Sequence, residues 1–327
     1  MTRGSGGAAC ATPDVDLVGA RVLVTGAGGF IGHRLCQQLQ TIGAEVVAVA
    51  RRAGCCDDVA AETHVVDLLD HDALGQLMRN ARADHVVHLA ALRERSAMLA
   101  DYPRSYSANL LSTLDLAEAV LASGSCRRFV YLGSAEEYGR AAAPFGAFTK
   151  EVPLTAYGLS KLAATQLLQA LAITHGLPVV LLRATVVFGP GQKDAMFVPA
   201  LLHSLLRRER FPMTDGEQKR DFIYVDDVID GIIRSLVTTS AHDEVLHLSS
   251  GTPVTIRELA LLAAKLIGGK SESLLGFGSI AYGTGEAMEY WADNANTRVA
   301  LGWVPQTTLE DGLALTISHL RRMGVGQ

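Results

Sequence analysis

The stretch that decides the fold is Val22–Gly32, VLVTGAGGFIG, in which an apolar run leads into a glycine-rich turn and the start of a helix. Gly26 permits the tight turn, Gly29 lets the backbone approach a pyrophosphate, and Gly32 lets the helix pack on the strand. Because the N-terminus of a helix attracts anions, this turn predicts a dinucleotide site. The predicted contacts lie along the turn: Gly26, Gly28, Gly29, Phe30, Ile31 and Gly32.

Outward from this turn, short apolar runs alternate with segments of helical period between Ala20 and Val180. Unbroken Val and Leu runs are typical of strands buried on both faces, and alternation with helices makes such strands parallel. We therefore predict an α/β fold, a doubly wound parallel sheet of the Rossmann type with a smaller C-terminal substrate-binding lobe. The predicted parts are a flexible tail (1–18), the dinucleotide-binding domain (19–185, with return segments near 222–250) and the substrate lobe (186–327).

The composition argues against several classes of protein. A chain of 327 residues with 49% hydrophobic and 19% charged residues can bury a large core. Its net charge of -5 lacks the basic excess of nucleic-acid-binding proteins, and no apolar stretch reaches the roughly 18 residues of a membrane span. The five cysteines have no C-x-x-C spacing, and the histidines have no metal-ligand spacing. We expect a cytoplasmic protein without a metal, a nucleic-acid partner or a membrane anchor.

The end of the second strand bears on which dinucleotide binds. Ala50 stands where an NAD-preferring site places an acidic residue on the ribose 2′-hydroxyl. Arg51 and Arg52 could instead pair with a 2′-phosphate, although two solvated arginines in a surface loop are the alternative. The sequence therefore favours NADP(H), with NAD(H) possible. After the third strand, Asp67 and Leu68 are placed to border the adenine, and a helix N-cap is the alternative role for Asp67.

A second motif, Tyr157-Gly158-Leu159-Ser160-Lys161, begins a long helix. Its spacing of four puts Tyr157 and Lys161 on the same helix face. A neighbouring ammonium favours the phenolate, so we expect Lys161 to lower the pKa of Tyr157 toward the range useful for acid/base catalysis. A single Y-x-x-x-K is common on helix surfaces. This one follows the dinucleotide turn at a distance that corresponds to half of a doubly wound α/β domain.

Four further segments stand in order along the chain: His88–Ala91 (HLAA), Gly133–Gly139 (GSAEEYG), Phe188–Gln192 (FGPGQ) and Arg220–Asp227 (RDFIYVDD). Together with the glycine turn and the Tyr157/Lys161 pair, they resemble the extended short-chain dehydrogenase/reductases that act on nucleotide sugars. The resemblance runs from about residue 20 to about residue 315. The resemblance implies that Ser134 hydrogen-bonds the reacting oxygen. It also implies that Tyr157 is the acid or base and that Lys161 holds the nicotinamide ribose.

The same resemblance implies further contacts and an assembly. The dinucleotide would also contact Leu89, Ala90, Ala91, Tyr157 and Lys161. A nucleotide-diphosphate sugar would contact Ser134, Glu136, Gln192 and Arg220, with Arg220 meeting the diphosphate. The helices at Leu110–Ala122 and Tyr157–His175 resemble the pair that builds a four-helix interface in this family, which implies a homodimer.

Four reactions remain open for such a protein: 4-keto reduction, 4-epimerisation, dehydration and decarboxylation. The arginine pair favours net reduction, which draws on NADPH. The chain resembles sugar 4,6-dehydratases at Glu136, which would take a proton from carbon 5. However, the side chain of Ala135 cannot donate a proton to the departing hydroxyl. Glu136 could equally bind a substrate hydroxyl. We predict NADPH-dependent reduction of a nucleotide-activated 4-keto(-6-deoxy)hexose, with Glu136 counted among the catalytic residues. The alternative is a 4-epimerase or dehydratase that uses tightly bound NAD.

Overall fold

The computed structural model describes residues 15–93, 98–238, 244–283 and 285–326. Residues 1–14 of the predicted tail therefore lie outside the described residues. Leu17, which the sequence placed in that tail, is 2% exposed and packs in the main hydrophobic core.

The central feature of the fold is a sheet of seven parallel strands. The strands of this sheet and of the smaller sheets are, in chain order, β1 (Arg21–Thr25), β2 (Glu45–Ala50), β3 (Glu62–Val65), β4 (His85–His88), β5 (Arg128–Ser134), β6 (Val179–Ala184), β7 (Val186–Phe188), β8 (Phe211–Pro212), β9 (Lys219–Arg220), β10 (Phe222–Tyr224), β11 (Val245–Leu248), β12 (Val254–Thr255), β13 (Leu275–Gly276) and β14 (Glu289–Tyr290). Seven of them pair in the order β11-β6-β5-β4-β1-β2-β3. The strand order reverses at β1, between β2 and β4, which is where such sheets bind ligands at their carboxyl edge.

Helices cover both faces of this sheet, which confirms the predicted doubly wound fold. They are α1 (Phe30–Thr41), α2 (His71–Ala81), α3 (Tyr102–Tyr106), α4 (Ser112–Ser123), α5 (Ala156–His175), α6 (Phe197–Leu206), α7 (Val225–Val237), α8 (Ile256–Ile267), α9 (Ala295–Leu301) and α10 (Leu309–Arg322). Alternate residues of β1 enter different cores, with Val22 and Val24 on one face and Leu23 on the other. No helix of the described residues is long and apolar enough to cross a membrane.

Three small sheets lie outside the main one. They pair β7 with β10, β8 with β13, and β9 with both β12 and β14. All are built from residues after Ala184, in the part of the chain where the sequence predicts the substrate lobe, while β11 returns to pair with β6. Their strands are only two or three residues long.

Candidate active site

The glycine turn between β1 and α1 is packed too closely for side chains. Gly26 has φ +69°, and a Cβ there would lie 2.7 Å from the Ala90 backbone nitrogen. A Cβ on Gly32 would lie 2.2 Å from the Gly26 carbonyl oxygen. Helix α1 therefore begins directly on the turn. No side chain of the described residues caps its N-terminus at Gly29, and its first turn has no acidic residue, which leaves backbone N–H groups for an anion.

The surface of the turn is open where a dinucleotide would lie. Gly28 and Gly29 are exposed, and Phe30 and Ile31 are half-buried. Cys55, from the loop after β2, packs on the turn, with its Sγ 2.7 Å from the position of a Cβ on Gly28. A backbone cradle without side chains at the N-terminus of a helix fits a pyrophosphate, so the residues of the predicted turn fit the dinucleotide.

At the end of β2, Arg51 and Arg52 are exposed. Within the described part of the chain their guanidinium groups make no ion pair. Asp67 is also exposed, and its Oδ1 accepts a hydrogen bond from the Leu69 backbone at 3.1 Å. The N-cap of α2 is Asp70, which accepts from the Ala73 N–H at 3.0 Å, so the alternative role of Asp67 as a helix N-cap is wrong. Leu68 is partly buried against the core.

Leu89–Ala91, which are predicted to contact the dinucleotide, follow β4 and border the glycine turn. The Ala90 N–H donates to Thr25 Oγ1 at 3.3 Å, and Thr25 Oγ1 lies 2.7 Å from His88 Nδ1. Burial lowers the pKa of His88 to about 3, so its imidazole is neutral. His88 is thus a packed strand residue that orders the wall of the site.

Ser134 and Tyr157 meet at the carboxyl edge of the sheet. Ser134 is the last residue of β5, its Oγ accepts from the Glu136 N–H at 3.2 Å, and its side chain is hydrogen-bonded to Tyr157. The predicted lowering of the Tyr157 pKa is wrong. Burial is the largest effect and raises it, while the positive charge of Arg93 and the bond with Ser134 oppose this only in part.

Lys161 lies one helical turn beyond Tyr157 and points at the sheet. Its Nζ donates to the Leu132 carbonyl oxygen at 2.7 Å and lies 4.0 Å from the centre of the Tyr131 ring. Burial lowers the Lys161 pKa to about 8, against the negative charge of Glu137, which raises it. The ammonium is therefore held beside the strand that ends at Ser134.

This lowered pKa predicts an alkaline limit on activity. If the ammonium is required, turnover should fall as the pH rises through about 8, because Lys161 then loses its proton. The measurement is kcat against pH. Arginine keeps its charge at all accessible pH values, so any activity of Lys161→Arg should show no such limb. A wild-type rate that is constant across this pH region would contradict the prediction.

The predicted substrate residues lie on both lobes. Glu136 is half-buried beside Ser134. Gln192 donates through Nε2 to the Val187 carbonyl at 2.8 Å, and its buried Oε1 has no partner among the described residues. Arg220 forms an ion pair with Glu286 and lies over the Tyr290 ring, so a diphosphate would have to share or replace that carboxylate.

Sequence reasoning missed one residue of the site, Glu137. Its side chain is fully buried and accepts hydrogen bonds from the Ser134 N–H at 2.9 Å, Thr165 Oγ1 at 2.8 Å and Arg183 Nε at 2.7 Å. A signal was present, because an arginine inside the apolar run PVVLLRA must find a carboxylate when the strand is buried.

Asn109 braces the bend in the helix before β5. The chain forms a π-helical turn at Ser107–Leu111 between α3 and α4. Asn109 Oδ1 accepts from the Leu92 N–H at 2.7 Å, and Nδ2 donates to Ser160 Oγ at 2.8 Å. The amide thus joins the segment after β4 to helix α5.

One group of residues within the described ranges has the arrangement of possible metal ligands: His71, Asp115 and Glu118. All three side chains are at least partly exposed, and none belongs to the predicted site. The absence of a metal stays a prediction.

Known proteins resemble this chain over nearly its whole length. GDP-6-deoxy-D-mannose reductase of Pseudomonas aeruginosa is 30% identical over 307 residues, covering 91% of this chain and 96% of that protein. UDP-glucose 4-epimerase of Thermotoga maritima, solved with UDP-glucose, has a TM-score of 0.84 at 25% identity and covers 93% of this chain and 99% of its own. MoeE5 in complex with UDP-glucuronic acid and NAD has a TM-score of 0.83 at 32% identity, covering 93% and 100%.

A family model agrees with these likenesses. The model of the NAD dependent epimerase/dehydratase family matches residues 22–248, from the first strand of the sheet to its last. The match includes the glycine turn, Ser134, Tyr157 and Lys161. The chain belongs to this family of extended short-chain dehydrogenase/reductases, the nucleotide-sugar epimerases, dehydratases and reductases.

Proposed function

We propose that this protein reduces a nucleotide-activated 4-keto(-6-deoxy)hexose at C4 with NADPH. The observation that carries the proposal is a buried, protonated Tyr157 bonded to Ser134 at the sheet edge, because burial raises the pKa of Tyr157. A phenol that keeps its proton at neutral pH is suited to donating it to the oxygen of a ketone under reduction. Oxidation would instead need the phenolate.

Each side chain then has a role in proton transfer or binding. The glycine turn and Leu89–Ala91 would hold the dinucleotide, which supplies a hydride when bound. Tyr157 donates its proton to the C4 oxygen, and Ser134 donates a hydrogen bond to the same oxygen. Lys161 keeps a positive charge beside them and would bind the nicotinamide ribose. Asp67 and Leu68 would border the adenine.

The substrate side of the proposal rests on residues of both predicted lobes. Glu136, Gln192 and Arg220 would contact the nucleotide-diphosphate sugar, with Arg220 on the diphosphate and Glu136 on a sugar hydroxyl. Ala135 is fully buried and has no group to protonate a departing hydroxyl, which argues against dehydration.

The second candidate is a 4-epimerase or dehydratase that regenerates a tightly bound NAD in each turnover. One specific observation favours it: MoeE5, a structural neighbour at 32% identity, was solved with UDP-glucuronic acid and NAD. An epimerase would oxidise and reduce the same carbon, so Tyr157 would act as a phenolate base in one direction and as a phenol acid in the other.

The deciding experiment offers the purified protein a panel of 4-keto nucleotide sugars with NADPH or NADH. The proposal expects NADPH oxidation in proportion to the ketone consumed. Tightly bound NAD in the purified protein, together with redox-neutral turnover of a nucleotide sugar without added cofactor, would favour the second candidate. Failure to oxidise NADPH with any ketone of the panel would refute the reductase.

The cofactor preference has its own prediction at the end of β2. Replacing both arginines, Arg51→Ala with Arg52→Ala, should weaken NADPH binding far more than NADH binding, because only NADPH carries the 2′-phosphate that they would pair with. Dissociation constants of both cofactors are the measurement, with Arg79→Ala on α2 as a matched surface control. Equal losses for the two cofactors would contradict the preference for NADP(H).

We also propose a homodimer through α4 and α5. These helices pack on the same face of the sheet. Apolar side chains are exposed at both of them: Leu111, which immediately precedes α4, at 48%, and Ile173 on α5, at 75%. Two such pairs could form the four-helix interface that the family resemblance implies.

A further inference from the structure

A single carboxylate lies at the junction of the two elements that carry the catalytic residues. Glu137 Oε1 accepts the Ser134 N–H at the end of β5, at 2.9 Å. Glu137 Oε2 accepts the hydroxyl of Thr165 on α5, at 2.8 Å. Tyr157, Lys161 and Thr165 follow one another at spacings of four, so they share one face of α5. Glu137 therefore joins the strand that ends in Ser134 to the helix face that carries Tyr157.

The carboxylate also has a charge partner behind the site. Arg183 on β6 is 1% exposed, and its guanidinium contacts Glu137 Oε2 through Nε at 2.7 Å. The same guanidinium contacts Glu151 Oε1 at 2.9 Å on its other side. A buried charge is costly without its partner, so Glu137 and Arg183 stabilise each other's charged forms. Glu151, which is partly exposed, shares Arg183 without contacting Ser134 or Thr165 in the described structure.

The negative charge of Glu137 acts on the catalytic groups. Burial lowers the pKa of Lys161 to about 8, and Glu137 opposes this shift. Burial raises the pKa of Tyr157, and Glu137 adds to that rise. Both effects keep a proton on the catalytic side chains at neutral pH.

We propose that Glu137 is a positioning residue for catalysis: its carboxylate ties Ser134 at the end of β5 to the face of α5 that carries Tyr157 and Lys161, and holds its negative charge behind that face. Its fully buried side chain would touch neither substrate nor cofactor, and it would act through Ser134, Tyr157 and Lys161. The inference rests on the proposed function only for the direction in which Tyr157 moves its proton.

The test compares Glu137→Gln with Glu151→Gln, which removes the same charge from Arg183 but not the link to Ser134 and Thr165. The first readout is the titration midpoint of Lys161, from competitive labelling with acetic anhydride at several pH values and peptide mass spectrometry. It needs no substrate, so it separates failure of this inference from failure of the proposed reaction. The second readout is kcat and KM of the reaction that the substrate panel identifies.

In Glu137→Gln the Lys161 midpoint should move down by about one pH unit or more, since a neighbouring opposite charge typically shifts a pKa by 1 to 3 units. Glu151→Gln should leave it in place. If Glu137 only filled space, Glu137→Gln would instead move the Lys161 midpoint up, because loosened packing admits water and returns the pKa of Lys161 toward its ordinary value of 10.5. An upward shift, no shift, or the same shift in both variants would overturn the proposal.

Thr165→Val covers the case in which Glu137→Gln does not fold. Valine has nearly the same shape as threonine and lacks only the hydroxyl bonded to Glu137. It should leave the Lys161 midpoint unchanged and lower kcat, with KM unchanged, because α5 loses its tie to β5. An unchanged kcat would overturn the proposed tie.

Discussion

Tyr157→Phe should lower kcat by a factor of about 10² to 10⁴, the range typical for the loss of a general acid. The change removes one oxygen from a side chain that is 8% exposed, and the ring keeps its packing. Binding of the dinucleotide should therefore stay close to that of the wild type. Steady-state kinetics with the ketone that supports turnover and a separate cofactor titration measure the two effects.

The matched control for this substitution is Tyr102→Phe, which removes a phenolic hydroxyl at the start of α3 and outside the predicted site. It should leave kcat unchanged. Turnover by Tyr157→Phe at the wild-type rate would remove Tyr157 from the mechanism, and loss of cofactor binding would assign it a binding role instead.

Gly32→Ala should weaken dinucleotide binding by about 10²-fold or more, the size of effect that a displacement of about 1 Å can have. A Cβ at this position would lie 2.2 Å from the Gly26 carbonyl and 2.9 Å from the Ala27 Cα, and both are backbone atoms that cannot rotate away. Helix α1 must then move off the turn, which also strains the fold by about 1 to 3 kcal/mol. Cofactor titration and thermal unfolding measure the two losses.

Gly75→Ala is the control for that prediction. Gly75 lies inside α2, where a Cβ would meet only the end of the Arg79 side chain, at 3.4 Å. Alanine is the better helix former by about 0.5 to 1 kcal/mol, so this variant should unfold at a slightly higher temperature and bind the dinucleotide normally. Normal binding by Gly32→Ala would mean that the turn is not the pyrophosphate site.

Much of the fold could be predicted because local signals agreed with the global arrangement. The glycine turn predicts the start of a helix at its end, and α1 begins there, at Phe30. The start of α8 carries a capping box between Thr255 and Glu258, a signal that lies within four residues of sequence. The short α3 and the π-helical turn after it were not predicted, because a helix with a local bulge has no simple apolar period.

The candidate active site was predicted in part for the same reason. The end of β5 and the start of α5 lie at one edge of a parallel sheet, so Ser134 and Tyr157 could be expected to meet. The direction of the Tyr157 pKa shift could not be derived from a spacing of four, because it depends on how deeply the phenol is buried. The partnership of Glu137 with Arg183 spans 46 residues, and periodicity does not show which buried charges pair across such a distance.

The short strands of the second lobe have a consequence for how such proteins diversify. Pairings of two or three residues contribute few ladder hydrogen bonds, and the loops between them can accept insertions and substitutions at little cost to the main sheet. Under the proposed function, mutations there would alter which sugar is admitted while Ser134 and Tyr157 stay at the edge of the main sheet. A scaffold built in this way would exchange its specificity piece by piece and keep its proton chemistry.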